Sequence, residues 1–88
     1  MFKPITHVAK GLAERCRKLR TQKKLSQQQL ADRSGVSLGS LKRFESTGKI
    51  SLESLLKIAV TLEHISEFEN LLLPKEIGPK SIDELFNT

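Results

Sequence analysis

Apolar positions recur along this chain at intervals of three and four residues, and nowhere alternate with a period of two over a useful length, so the pattern predicts helices throughout. From Val8 to Lys24 the apolar residues are Val8, Leu12, Cys16 and Leu19, one face of a helix, and Ile5 lies in register to extend it. Gly11 weakens this first helix by up to ~1 kcal/mol relative to Ala. Residues 1–7 contain Pro4 and no clear period and read as a short N-terminal arm. A second helix is expected over Gln27–Ser34, with Leu30 and Ala31 inward, and a third over Leu38–Ser46, with Leu41, Phe44 and the preceding Val36 in the core. A fourth, Leu52–Leu62, carries an apolar stripe of Leu52, Leu55, Leu56, Ile58, Ala59 and Leu62. Ser66 and Glu69 have the spacing of a capping box for a fifth helix bearing Phe68, Leu71 and Leu72 and ended by Pro74. The expectation is an all-α, five-helix domain over residues 8–74, followed by a tail.

The boundaries between the second and third helices are marked by side-chain chemistry. Ser26 and Ser37 each stand directly before a helical pattern, where a hydroxyl oxygen accepts from otherwise unpaired N–H groups. Gln29 follows Ser26 by three residues and completes a capping box. Gly35 falls where a helix ends in a left-handed residue, and Thr47-Gly48 stops the third helix in the same way. Helix, tight turn, helix is the sequence form of a helix-turn-helix, whose second helix enters the DNA major groove. Ala31 fits this arrangement, because a small side chain lets the two helices approach closely. The outer side of the third helix is then left to Leu38, Gly39 and Lys42, with Ser40 and Arg43 at its margin.

The tail, residues 75–88, changes character. Gly78-Pro79 reads as a linker turn, and Ser81 with Glu84 makes another capping box before Ile82, Leu85 and Phe86, which share one face. A helix of one or two turns is not stable alone in water, so this one docks or stays disordered.

Charge sharpens the picture. The formal net charge of +5 is unevenly spread: residues 1–25 carry eight Lys/Arg against one Glu, residues 26–50 four against two, and residues 51–88 three against seven acids. A basic front and an acidic rear orient the molecule towards a polyanion, although most such runs are simply solvated faces, and it is the helix-turn-helix that tips the reading to DNA. The chain has 88 residues, enough for one domain near the lower end of what a single core holds together. It has a single Cys and no apolar run long enough to cross a bilayer. The N-terminus lacks the apolar core of a secretory signal, and a lone Cys can form no internal disulfide, so a cytoplasmic, nucleoid-associated location is expected. On the apolar stripe, Cys16 reads as a small buried hydrophobe. An enzyme is not expected. His7 and His64 have no Cys, Asp or Glu around them at ligand or triad spacing, the Ser residues are accounted for as caps, and no Gly-rich phosphate loop exists. Neither a cofactor nor a metal is expected.

Over residues 12–72 the chain resembles the phage-repressor/Cro-type helix-turn-helix family, also called the xenobiotic-response-element family. The residues that carry the resemblance are Leu19-Arg20, Leu25-Ser26-Gln27 through Leu30-Ala31, Gly35-Val36-Ser37, Leu41 with Arg43-Phe44-Glu45, Gly48, and Leu55-Leu56-Lys57-Ile58-Ala59. The resemblance implies a compact five-helix DNA-binding domain, lambda-repressor-like, that acts as a homodimer on a palindromic operator. It implies that Gln27 reaches a phosphate and braces the recognition helix, that Leu38, Gly39, Lys42 and Arg43 face the groove, and that Arg20 and Glu45 form an internal ion pair. Ser26, Gln28, Ser37, Ser40, Lys49, Arg17 and Lys24 complete the expected DNA-binding set. Leu38-Gly39 departs from the family, which often has Gln, Arg or Ser there, and neither residue makes the bidentate hydrogen bonds that read purines. Readout therefore shifts to Ser37, Ser40, Lys42 and Arg43. Arg43 has the fork geometry for guanine, or holds a phosphate instead. Glu63-His64 stands where a Gly-containing turn is common in the family.

The expected function is a sequence-specific transcriptional regulator, a repressor. The alternative is an antitoxin similar to HipB-like proteins, which binds a kinase-like toxin and represses its own operon. Surplus apolar residues, Val60, Ile65 and Leu73, mark an expected dimer surface on the fourth and fifth helices. Ile82, Leu85 and Phe86 pack on their own domain, close the dimer or meet a toxin.

Overall fold

The computed structural model describes residues 3–75. The described residues form five helices: α1 (Lys3–Gln22), α2 (Gln27–Ser34), α3 (Leu38–Thr47), α4 (Leu52–Thr61) and α5 (Ile65–Glu69). Helix α3 lies between α1 and α2, α4 packs on the far side of α2, and α5 folds back onto α4. Phe44, Leu30, Leu41, Ile58 and Leu62 are the largest fully buried side chains, so α2, α3 and α4 supply the centre of the core. Ala13 and Cys16 close it from α1, with Leu12 and Leu19 half-buried at its edge. Ala31 is buried where α2 meets its neighbours, as its small side chain predicts.

Several expectations need correction. Residues 3–7 are not an arm: α1 begins at Lys3, with Pro4 in the first turn, where a missing N–H costs no helical hydrogen bond. The same helix stops at Gln22 rather than Lys24, because Lys24 turns left-handed at φ 61° to send the chain into α2. Val8, expected on the buried stripe, is 63 % exposed, and Ile5 is exposed beside it. The first turns of α1 run past the core, and Ala9 makes the contact there instead, against Gly48. A Cβ on Gly48 would sit 2.9 Å from the Ala9 carbonyl carbon, and its φ of 82° is left-handed, so glycine is required twice over. Leu52, expected on the α4 stripe, is exposed at the helix's first position, and Leu62 caps α4 from the core.

Helix α5 departs furthest. Glu63 takes φ 66°, the left-handed conformation that a glycine would supply in the family's turn, and the chain enters α5 two residues ahead of the start expected behind Ser66. The helix therefore starts at Ile65 with His64 in the capping position, and the Ser66–Glu69 capping box does not form. His64 Nδ1 pairs instead with a Glu67 carboxylate oxygen across the first turn. The helix ends at Glu69, so Leu71 and Leu72 fall beyond it and are exposed, Leu72 at 90 %. The expected tail contacts Ile82, Leu85 and Phe86 lie outside the described residues.

Candidate nucleic-acid interface

Local hydrogen bonds set the helix-turn-helix residue by residue. At the start of α2 the Ser26 hydroxyl accepts from Gln29 N–H at 3.0 Å, and the Gln29 side-chain oxygen accepts from Ser26 N–H at 2.8 Å. That leaves the N–H groups of Gln27 and Gln28 without an acceptor among the described residues, pointing out of the helix start. In the turn, Gly35 adopts φ 78° and donates to the Ala31 carbonyl at 3.0 Å, while Val36 N–H donates to the Ser34 hydroxyl at 3.2 Å. Ser37 then caps α3 by accepting from Ser40 N–H at 3.1 Å, and its hydroxyl donates to the Ser40 hydroxyl at 2.9 Å.

A polar cluster clamps this unit to α1. Arg20 Nε donates to Glu45 Oε2 at 2.8 Å and Nη2 to Oε1 at 3.1 Å, a bidentate pair with side chains 11 % and 5 % exposed. Arg20 Nη1 donates to the Leu25 carbonyl at 2.8 Å, and Gln27 Nε2 donates to Glu45 Oε1 at 2.8 Å. One carboxylate thus gathers the end of α1, the first residue of α2 and the last turns of α3. The ion pair implied by the resemblance is formed, and Gln27 braces the third helix through Glu45.

The outward side of α3 is built differently. Gly39, Ser40, Lys42 and Arg43 are exposed, and among the described residues no carboxylate pairs with Lys42, Arg43, Lys49 or Lys24. A Cβ added at Gly39 would meet nothing within 4 Å, so the fold itself makes no demand for glycine there. Ser40, Arg43 and Lys49 come together with Ile50, Ser51 and Ser54 around a cleft of about 140 Å³ between α3 and the start of α4. Ser51 and Ser54 were not foreseen as members of this cleft. Ser51 also caps α4, accepting from Ser54 N–H at 3.1 Å.

Three of the expected contact residues are placed less freely. Leu38 is half-buried and packs against the core instead of standing wholly outward, because it opens α3 directly over the turn. Gln28 is exposed, but its amide donates to Asp32 at 2.9 Å on the next turn. Arg17 is paired with Glu14 on its own helix at 2.6 Å, a contact that holds the Glu14 carboxyl below its usual range and raises Arg17. Of the expected interface residues, Val60 and Leu73 are exposed and Ile65 is half-buried. Cys16 is buried, and that burial pushes its thiol pKa upwards, away from thiolate chemistry. Among the described residues no group of His, Cys, Asp and Glu is arranged to hold a metal ion, and no helix is long and apolar enough to cross a membrane.

A two-helix unit clamped from behind by an arginine–glutamate pair, with cations on its open side that are unpaired among the described residues, is the build of a DNA-reading domain. A family model described as Helix-turn-helix matches residues 17–70, from the second half of α1 through α5. The chain belongs to this Cro/C1-type helix-turn-helix family, and its domain is a DNA-binding regulatory one rather than a catalytic one. No curated protein and no solved structure matches the chain significantly.

Proposed function

We propose that this DNA-binding transcription regulator is a cytoplasmic, nucleoid-associated repressor that binds a palindromic operator as a homodimer. The observation that carries the reading is the open side of α3, where Lys42, Arg43 and Lys49 lack carboxylate partners among the described residues. The N–H groups of Gln27 and Gln28, at the start of α2, donate to one phosphate, and Ser26 flanks it. Lys24 and Lys49 neutralise others, and Arg17 joins them when DNA competes with Glu14. Base edges are read from α3: Lys42 and Arg43 donate, Ser37 and Ser40 exchange their mutual hydrogen bond for one to DNA, and the edge of Leu38 touches a thymine methyl. Gly39 lets the helix seat deeply. A single domain reads few base pairs, so a second copy, docked through Val60, Ile65 and Leu73, doubles the contacts and fixes the half-site spacing near one helical turn.

Selection of bound duplexes from a random pool tests this directly. The expected product is a two-fold symmetric site, and Lys42→Ala and Arg43→Ala each relax selection at defined positions by about 1–3 kcal/mol per lost base contact. Equal affinity for selected and random duplexes, or binding that does not fall with salt, would overturn the reading, and a monomer mass at all concentrations would remove the dimer.

A second reading, an antitoxin that also binds a kinase-like toxin, is favoured by the exposed run Leu71, Leu72 and Leu73 after α5, since consecutive exposed leucines suit a protein surface. Its test is a stable complex on co-expression with a kinase-like protein encoded in the same operon.

A further inference from the structure

An apolar groove of about 370 Å³ lies on the side of the domain away from the turn, between α1 on one side and α4 with α5 on the other. Ala59 and Leu62 are its most deeply buried lining residues, and Leu12, Leu19, Leu55 and Phe68 form its walls. Arg15 and Lys18 stand on its lining from α1, and among the described residues neither has a carboxylate within ion-pair range. The one acid on the lining, Glu67, is already held by His64. The groove is thus an apolar slot with uncompensated positive charge along one wall.

We propose that this groove seats the chain's own C-terminal segment, residues 81–86, docked as a short helix. Three observations on the chain converge there. The segment carries Ile82, Leu85 and Phe86 on one helical face, behind the Ser81–Glu84 capping pair. The five helical residues behind the Ser81 cap span about 8 Å, within the roughly 10 Å of α1 wall from Leu12 to Leu19, at about 1.5 Å per residue. The segment's charged residues are Asp83 and Glu84, both acidic, and they match the open charges of Arg15 and Lys18. The connection is ample. Phe68 is itself on the wall, and the fourteen residues from there to Ile82 reach up to about 46 Å when extended, with Gly78-Pro79 available to reverse the chain. A two-fold dimer closed through the same slot would bring two sets of Arg15 and Lys18 towards each other, a repulsion the acidic segment turns into attraction.

The test uses the full chain with Cys16→Ala and Asn87→Cys, a nitroxide on the new thiol, and amide NMR of the labelled protein. The expected result is broadening of Leu12, Leu19, Ala59 and Phe68 with α3 spared. It should be absent when spin-labelled chains of natural isotopic abundance are mixed with unlabelled, isotope-enriched ones. The double variant Leu85→Asp/Phe86→Asp should abolish the broadening. In a chain that keeps its native cysteine, the same double variant should speed alkylation of Cys16, a lining residue of the groove, at least fivefold. Broadening confined to the segment's own neighbours, or broadening seen only between mixed chains, overturns the proposal. So does an alkylation rate indifferent to the two substitutions. None of these readouts involves DNA, so they stand or fall separately from operator binding.

Discussion

The α2–α3 unit and the stretch from α5 to Lys75 are both short helical segments preceded by apparent capping residues, yet they are held in opposite ways. In α2 and α3 every boundary signal is used: Ser26 and Gln29 cap reciprocally, Ser37 caps α3, and Gly35 and Gly48 turn left-handed. Apolar side chains at the expected spacing are buried beneath them, and the Arg20–Glu45–Gln27 cluster fixes the unit to α1. In α5 the boundary signals are not used. Ser66 caps nothing, two non-glycine residues, Glu63 and Leu72, are left-handed, and the leucines at 71–73 face outward. A capping pattern specifies a helix start only where tertiary packing brings the chain into the helix at that residue. Here the turn after Leu62 decides first.

The comparison can be broken most forcefully at its polar cluster. Glu45→Ala leaves the Arg20 guanidinium and the Gln27 amide without their shared acceptor, and should cost about 3–5 kcal/mol, close to unfolding a domain of this size. Urea denaturation measures it, and a paired Arg20→Met/Glu45→Leu replacement should recover most of the loss, because both buried charges then leave together. A smaller and sharper contrast lies in the caps. Ser26→Ala should cost about 1 kcal/mol and Ser66→Ala under about 0.5 kcal/mol; equal losses would mean that the α5 capping box forms after all. A third effect has the opposite sign. Gly39→Ala should stabilise the free domain by about 0.5–1 kcal/mol, since α3 has empty space there, while weakening operator binding at least several-fold. Thermal melts and binding isotherms on the same sample separate the two.

The same contrast explains what could be read from residues alone. Helices α2 and α3 were legible almost to the residue because periodicity, caps and turn glycines agreed, and the Arg20–Glu45 pair was legible through the family resemblance. The start of α1 was obscured by Pro4, which breaks a helix interior but not a first turn. Val8 and Leu52 continue apolar stripes past the point where there is any core to meet, and periodicity alone carries no measure of where the core ends. Ala13, almost wholly buried, was missed because a small residue leaves little trace in an apolar pattern. The cleft joining Ser40 and Arg43 to Ser51 and Ser54 depends on how α4 is set against α3, an angle that no local spacing encodes.

The inward clamp on α3 has a consequence for how this protein can change over generations. Everything that fixes the helix in space (Phe44, Leu41, Glu45 and its partners) lies on the side away from solvent, while Gly39, Lys42 and Arg43 make no side-chain hydrogen bond or ion pair within the described residues. On the proposed docking of α3, substitutions at those three positions are therefore cheap in folding terms and expensive only in what they select. A lineage carrying this scaffold is free to drift from one target sequence to another by single replacements, without passing through an unfolded ancestor.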